Sequence, residues 1–161
     1  MTAELKMTVL GGEELRKALL DPDLLAGPVR RFLARSAHLV EAGAKEAAPV
    51  DTGRLRSSIA TRIGPTRALV GSNVVYAPFV EFGTRPHWPP LSAMQPWARR
   101  HGFPPGTVGA FLVARAISQR GTRPQPFLFP ALEAARGAIM GFLRDMAEEV
   151  RRHWGKGVSG G

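Results

Sequence analysis

Apolar residues recur at helical spacing in two long segments of the chain. From Val29 to about Ala47 most spacings are three, four or seven, which predicts an amphipathic helix with Pro28 in its first turn and Pro49 after its end. A second stripe from Leu132 to Val150 predicts a long last helix. The glycine-rich residues 155–161 are expected to form a disordered tail.

Alternating patterns between and before these helices predict strands. Residues 4–9 alternate, as do residues 58–63, and residues 68–75 return after the turn signal Gly64-Pro65-Thr66. The pattern of the last two predicts a hairpin. We therefore expect an α+β fold in which a small antiparallel sheet of three to four strands, with a central hairpin, packs against the long N-terminal and C-terminal helices.

Residues 91–120 predict a helical hairpin inserted after the sheet. Its helices are expected at Leu91–His101 and Val108–Arg120, joined by a proline-rich loop. Basic residues are expected outward, and the inward residues are expected to be Trp97, Phe111, Leu112, Ala116 and Ile117. With this insertion, residues 1–154 are predicted to form a single domain.

Two short sequence segments, here called the first and second phrases, combine turn-forming residues (Pro, Asp and Gly) with apolar side chains. They are residues 48–59, which read APVDTGRLRSSI, and residues 76–84, which read YAPFVEFGT. In the first, Pro49 ends the helix, Asp51 can accept backbone hydrogen bonds and Gly53 can take a positive φ, which predicts a sharp turn. The second fits both a strand and a helical period. Pro78 favours a helical turn that ends at Gly83.

The chain has no cysteine, no signal-peptide pattern and no apolar run long enough to span a membrane. Its net charge is +9, and residues 82–132 contain six arginines and no acid. Such a segment suits nucleic acid or an acidic partner, although a solvated surface is the simpler interpretation. The residues that could face DNA without reading its sequence are Arg99, Arg100, Arg115 and Arg120.

Asp51 and Glu81 are the only acids between residues 47 and 132, and a hydrolase would use such a pair. No nucleophile, base or phosphate-binding motif accompanies them. We expect Asp51 to cap its turn and Glu81 to pair with an arginine such as Arg54 or Arg56. A metal site formed by these acids and His87 is the weaker alternative. The sequence predicts no enzyme activity and no cofactor.

A third block, residues 126–132 (PFLFPAL), follows the two phrases. The three blocks, in this order, resemble the tail-component family of long-tailed bacteriophages, whose members complete the tail or join it to the head. The resemblance covers roughly residues 4–153. Many relatives shorten or lack the hairpin at 91–120, so the resemblance says nothing about what that insertion contacts.

The resemblance implies a small virion subunit of the neck, assembled in the host cytoplasm as a homo-oligomeric ring, expected to be a hexamer. Its expected partners are the tail-tube protein, the head connector proteins or both, with passing DNA as a non-specific contact and no membrane. The proline-rich extended segments at residues 85–90 and 122–130 are predicted to pack on a neighbour, since aromatic residues dominate the energetics of interfaces. The predicted interface residues are Arg85, Trp88, Arg123, Phe127 and Phe129. Core packing is the alternative for the aromatic residues and the favoured interpretation for Phe127. A nucleic-acid-binding protein is the alternative function.

Overall fold

The computed structural model describes residues 22–158, with side chains described between residues 25 and 153. Within this part of the chain the elements are α1 (Pro22–Ala47), α2 (Arg54–Ser58), β1 (Ile59–Ile63), β2 (Ala68–Ser72), α3 (Ala77–Phe82), α4 (Leu91–Arg100), α5 (Thr107–Arg120) and α6 (Leu128–Val158). The predicted strand at 4–9 lies outside the described residues. The architecture is therefore rich in helix, with a small sheet.

The sheet in the described part of the chain has two strands, β1 and β2, which form the predicted hairpin. Its turn is closed by the Gly64 N–H, which donates to the Arg67 carbonyl at 2.8 Å. Residues 73–75, predicted as strand, are not strand. A sheet of three to four strands is thus not supported, and the other pairing found in these residues is an isolated antiparallel bridge between Thr84 and Thr122.

The long helices begin earlier than the sequence predicts. Pro28 lies inside α1 instead of in its first turn, and Pro28 is buried. A proline inside a helix removes one hydrogen bond, and burial of its ring on a packed face offsets part of that cost. Helix α6 already starts at Leu128 and extends to Val158.

The chain folds into two compact units. Of the described residues, the first contains 22–40, 61–70 and 134–158. In it, the Arg35 guanidinium lies 4.1 Å from the centre of the Phe142 ring and 3.3 Å from Asp145. Arg31 pairs with Glu149. These contacts tie α1 to α6 at a largely exposed surface, where ion pairs contribute little.

The second unit contains residues 41–60 and 71–133 and holds the helical hairpin at close to its predicted bounds. The prediction that Phe111 and Leu112 of α5 face the interior is wrong, because both side chains are exposed. The buried positions of α5 are small instead: Gly109, Ala110, Val113 and Ala114. A Cβ at Gly109 would overlap the Pro104 carbonyl oxygen. Close approach of the backbones therefore determines which face turns inward.

The side of α4 that turns toward the interior also differs from the prediction. Trp97, expected inward, is exposed, whereas its neighbour Ala98 is buried. The Trp97 ring stacks on His101 one turn later, with the ring centres 3.9 Å apart, and lies 5.9 Å from Phe103 in the following loop. The large ring thus packs along the surface of the hairpin, and the small residue turns toward the interior.

Candidate assembly surface

Helix α3 is built by the second phrase and ends as predicted. Pro78 lies in its first turn, where no backbone donor is needed, and Gly83 follows it with a φ of 69°. Its buried residues are Ala77 and Glu81. A buried carboxylate on a six-residue helix requires strong hydrogen-bond partners.

Glu81 finds those partners at the start of α6. The backbone N–H groups of Phe127 and Leu128 donate to Oε2 at 2.8 and 2.9 Å, and the N–H of Phe129 donates to Oε1 at 2.9 Å. The first N–H groups of a helix have no partner within the helix, and the helix dipole favours a negative charge there. Glu81 therefore caps a helix from 46 positions earlier in the chain.

The environment of Glu81 has opposing effects on its pKa. Burial favours the neutral acid and would raise the pKa, but the three backbone donors bind the carboxylate and outweigh burial, so the pKa lies below its ordinary value of 4.5. Glu81 is only 6% exposed. The sequence prediction of a pair with Arg54 or Arg56 is wrong, because the backbone at 127–129 occupies both carboxylate oxygens.

A second contact continues this junction. The Thr84 N–H donates to the Thr122 carbonyl at 3.2 Å, and the Thr122 N–H donates back at 3.3 Å. Gly83 and Gly121 both have positive φ. A Cβ at Gly83 would lie 2.5 Å from the Thr122 carbonyl oxygen, and a Cβ at Gly121 would overlap the carbonyl oxygen of Thr84. We call Glu81, Gly83, Thr84, Gly121, Thr122 and the N–H groups of 127–129 the clasp.

The first phrase makes a different contact. Gly53 has a φ of 78° and precedes α2, a short helix that the sequence did not predict, without a side-chain cap. Asp51 does not cap the turn but binds Arg100 of α4 through two hydrogen bonds, one of 2.8 Å from Nε to Oδ1. The Arg100 guanidinium lowers the pKa of Asp51. The pair ties the first phrase to the helical hairpin.

The two acids considered for catalysis are thus both engaged in structural contacts. His87, the third member of the alternative metal site, binds the Arg85 carbonyl through its ring Nδ1 at 2.9 Å. The described residues contain no group of three or more potential ligands that could hold a metal ion. Asp51 and Glu81 serve separate contacts, and no shared reaction centre is formed by them.

The predicted interface residues fall into two groups. Phe127 is 2% exposed and belongs to the core, which is the alternative that the sequence left open, so it is not available to a partner. Arg85, Arg123, Trp88 and Phe129 are exposed. The ring of Trp88 meets that of Phe111 edge to face at 5.6 Å.

The four arginines proposed to face DNA are likewise exposed, but they are not equivalent. Arg100 is held by Asp51. Arg115 lies on the outward side of α5, and Arg99 and Arg120 lie in the last turns of α4 and α5. The structure therefore leaves three of the four without an ion pair to a described residue.

The sequence reasoning missed an apolar surface on the outside of α5. Val108, Phe111 and Leu112 follow one helix face, are between 42% and 61% exposed, and adjoin Trp88 through Phe111. The signal that could have revealed it is the run of small residues at 109, 110 and 114, which marks the opposite face as the closely packed one. We call Val108, Phe111, Leu112, Arg115 and Trp88 the α5 outer face.

No helix among the described residues combines the length and the apolar character needed to cross a bilayer.

Residues 22–83 match the family model described as "Bacteriophage HK97-gp10, putative tail-component". No curated protein and no solved structure matches the chain. The matched segment contains the first phrase and residues 76–83 of the second, so Thr84 and helices α4, α5 and α6 lie beyond it. The resemblance to a bacteriophage tail-component family that the sequence shows is confirmed over residues 22–83, which match the model of that family.

Proposed function

We propose that this protein is a neck subunit of a phage virion, which completes the tail tube or joins it to the head connector as a homo-oligomeric ring. The observation that carries the proposal is the family match over 22–83. A hexamer is the copy number we expect from the resemblance. The protein would act in the virion after assembly in the host cytoplasm.

The way the protein uses its acids supports an assembly role. Glu81 caps a helix and Asp51 holds the helical hairpin, so the distinctive residues of the two phrases fix shape. Large apolar side chains lie on the outside of the same unit, including Trp88, Phe111 and Phe129. Exposed apolar patches of this kind mark interaction sites, and aromatic residues dominate the energetics of interfaces.

The test is a phage in which a nonsense codon interrupts this gene. Electron microscopy of lysates should show filled heads and polymerised tails that are not joined, and the wild-type gene supplied from a plasmid should restore whole particles. Joined, infectious particles without the protein would contradict a neck role. Tails that are absent altogether would place the protein in tube initiation instead.

The alternative function, nucleic-acid binding, is favoured by the acid-free arginine segment at 82–132. It predicts duplex binding whose affinity falls steeply with salt, because released counterions drive such binding. Titration of a labelled duplex at low salt measures this directly. Arg99→Ala/Arg120→Ala should then reduce the affinity, whereas the paired Arg100 should matter less. No binding at low salt would eliminate the alternative.

A further inference from the structure

We propose that Asp51 is an autoinhibitory group: it occupies Arg100 at the tip of the helical hairpin, and a phosphate of a nucleic-acid backbone takes its place when nucleic acid binds. We call the Asp51–Arg100 ion pair the latch. This inference rests on the alternative function, nucleic-acid binding, and adds to it the residue that restrains that binding.

The latch lies at the opposite end of the hairpin from the clasp. At the base of the hairpin, the bridge between Thr84 and Thr122 holds the entering and leaving chain together. Arg100 is the last residue of α4 and directly precedes the loop 101–106 that leads to α5. The clasp therefore fixes the base of the hairpin, and the latch ties its tip to the first phrase.

The hydrogen bonds of the latch have the pattern that a phosphate would make with Arg100. Nε of Arg100 donates to Oδ1 of Asp51 at 2.8 Å, and Nη2 donates to Oδ2. A guanidinium group binds carboxylates and phosphates through the same fork of two parallel N–H groups. Asp51 thus occupies the edge of Arg100 that a phosphate would use.

The latch is exposed enough to open. The side chains of Arg100 and Asp51 are 36% and 33% exposed, so water and dissolved ions reach the pair. Solvent and salt screen such a pair, and an exposed ion pair contributes little to stability. A partner that supplies its own anion can therefore replace Asp51 without disturbing the packing of the hairpin.

The residues next to Arg100 favour an anionic partner. Arg99 precedes it and His101 follows it; both are exposed, and neither forms an ion pair within the part of the chain that the structure describes. Asp51 comes from outside the acid-free segment 82–132. Displacement of Asp51 therefore leaves two adjacent guanidinium groups and an imidazole at the tip of the hairpin.

The distribution of the arginines favours a nucleic acid over an acidic protein. Arg99, Arg115 and Arg120 are exposed at separate places on α4 and α5, and none of them forms an ion pair with a described residue. A nucleic acid carries one anion per nucleotide, so a single strand or duplex reaches several separated arginines at once. Phosphate contacts of this kind require suitably placed cations and no sequence reading.

The experiment measures the affinity of full-length variants for a labelled duplex over a series of salt concentrations. Asp51→Asn keeps the size of the side chain and removes the charge that holds Arg100. It should bind the duplex roughly fivefold more tightly at low salt, since one exposed charge contact has a modest effect. Its plot of log affinity against log salt should be steeper by about 0.9, the contribution of one added phosphate contact.

Two further variants separate the latch from a general effect of charge. Glu46→Gln removes one negative charge at an exposed position of α1 and is the matched control, which should change the affinity much less. Arg100→Ala should weaken binding little in the wild type but should abolish the gain of Asp51→Asn in the double variant. Circular dichroism verifies that each variant is folded.

The inference is overturned if Asp51→Asn binds no more tightly than Glu46→Gln, or if its gain survives in Asp51→Asn/Arg100→Ala. Duplex binding by the wild type with either of these results would leave the alternative function standing without the latch. If Asp51→Asn gains affinity for polyglutamate and not for the duplex, the partner is an acidic protein and the inference fails. No duplex binding by any variant would remove the inference and the alternative function together, while the neck role is tested separately by the nonsense-mutant phage.

Discussion

The clasp and the α5 outer face lie in the same unit of the chain and use their conspicuous residues in opposite ways. In the clasp, a charged residue is buried and both oxygens of its carboxylate are bonded to the backbone. On the α5 outer face, large apolar residues are exposed while alanine and glycine fill the inside. The comparison teaches that the second phrase maintains the fold through a buried charge, whereas the helical hairpin keeps large apolar side chains in contact with solvent.

The largest effect is expected from Gly121→Ala in the clasp. The new Cβ would overlap the Thr84 carbonyl oxygen, and the φ of 71° is itself unfavourable for alanine. We expect a loss of about 4 kcal/mol or more in the free energy of unfolding. Urea denaturation measures it.

Gly106→Ala is the matched control for this substitution. Gly106 has a similar φ of 74° but no atom within 4 Å of the added Cβ, so only the backbone cost of about 1–3 kcal/mol should appear. Equal losses for the two variants would show that the close approach in the clasp contributes nothing.

Glu81→Gln should lower the free energy of unfolding by about 2 kcal/mol. The amide keeps one acceptor oxygen but turns an NH₂ group toward a backbone donor, which leaves that donor unsatisfied in a buried place. Glu148→Gln, at an exposed position of α6, should change stability by less than about 0.5 kcal/mol. Similar values for the two variants would refute the capping role of Glu81.

The stability difference between wild type and Glu81→Gln should also depend on pH. The pKa of Glu81 is lower in the folded protein than its ordinary value of 4.5, so the charged form stabilises the fold. This contribution is complete above pH 4.5 and is lost as the pH falls below that value through the folded-state pKa. Denaturation series between about pH 7 and about pH 3 should show the difference shrink; a constant difference would contradict the account.

Asp51→Asn should have a smaller effect on the free energy of unfolding, because about a third of each side chain in its pair with Arg100 is exposed and solvent screens the charges. Thermal melting of both proteins at low and high salt measures the difference in stability between the wild type and Asp51→Asn. This difference should diminish with added salt, because salt screens the ion pair of the wild type. Arg99→Ala is the control, because Arg99 is next to Arg100 but forms no ion pair with any described residue. This substitution should leave the melting temperature unchanged. A salt-independent loss would point to packing instead of charge.

The sequence predicted much of the local structure and little of the tertiary pairing. The positive φ of Gly53 and Gly83 and the bounds of the helical hairpin follow from local backbone preferences, and the sequence predicted them well. The partner of Glu81 lies 46 residues away and consists of backbone N–H groups, which carry no side-chain signature. Periodicity placed Phe111 inward because it weighs side-chain size, whereas close backbone approach at Gly109 selected the opposite face.

The most direct test of the central claim is thermal melting of Val108→Gln/Leu112→Gln beside Glu81→Gln. The account predicts an unchanged melting temperature for the first variant, because its two side chains are exposed, and a lower one for the second, because Glu81 binds the start of α6. A Val108→Gln/Leu112→Gln protein that melts several degrees lower, or a Glu81→Gln protein that melts as the wild type does, would contradict it.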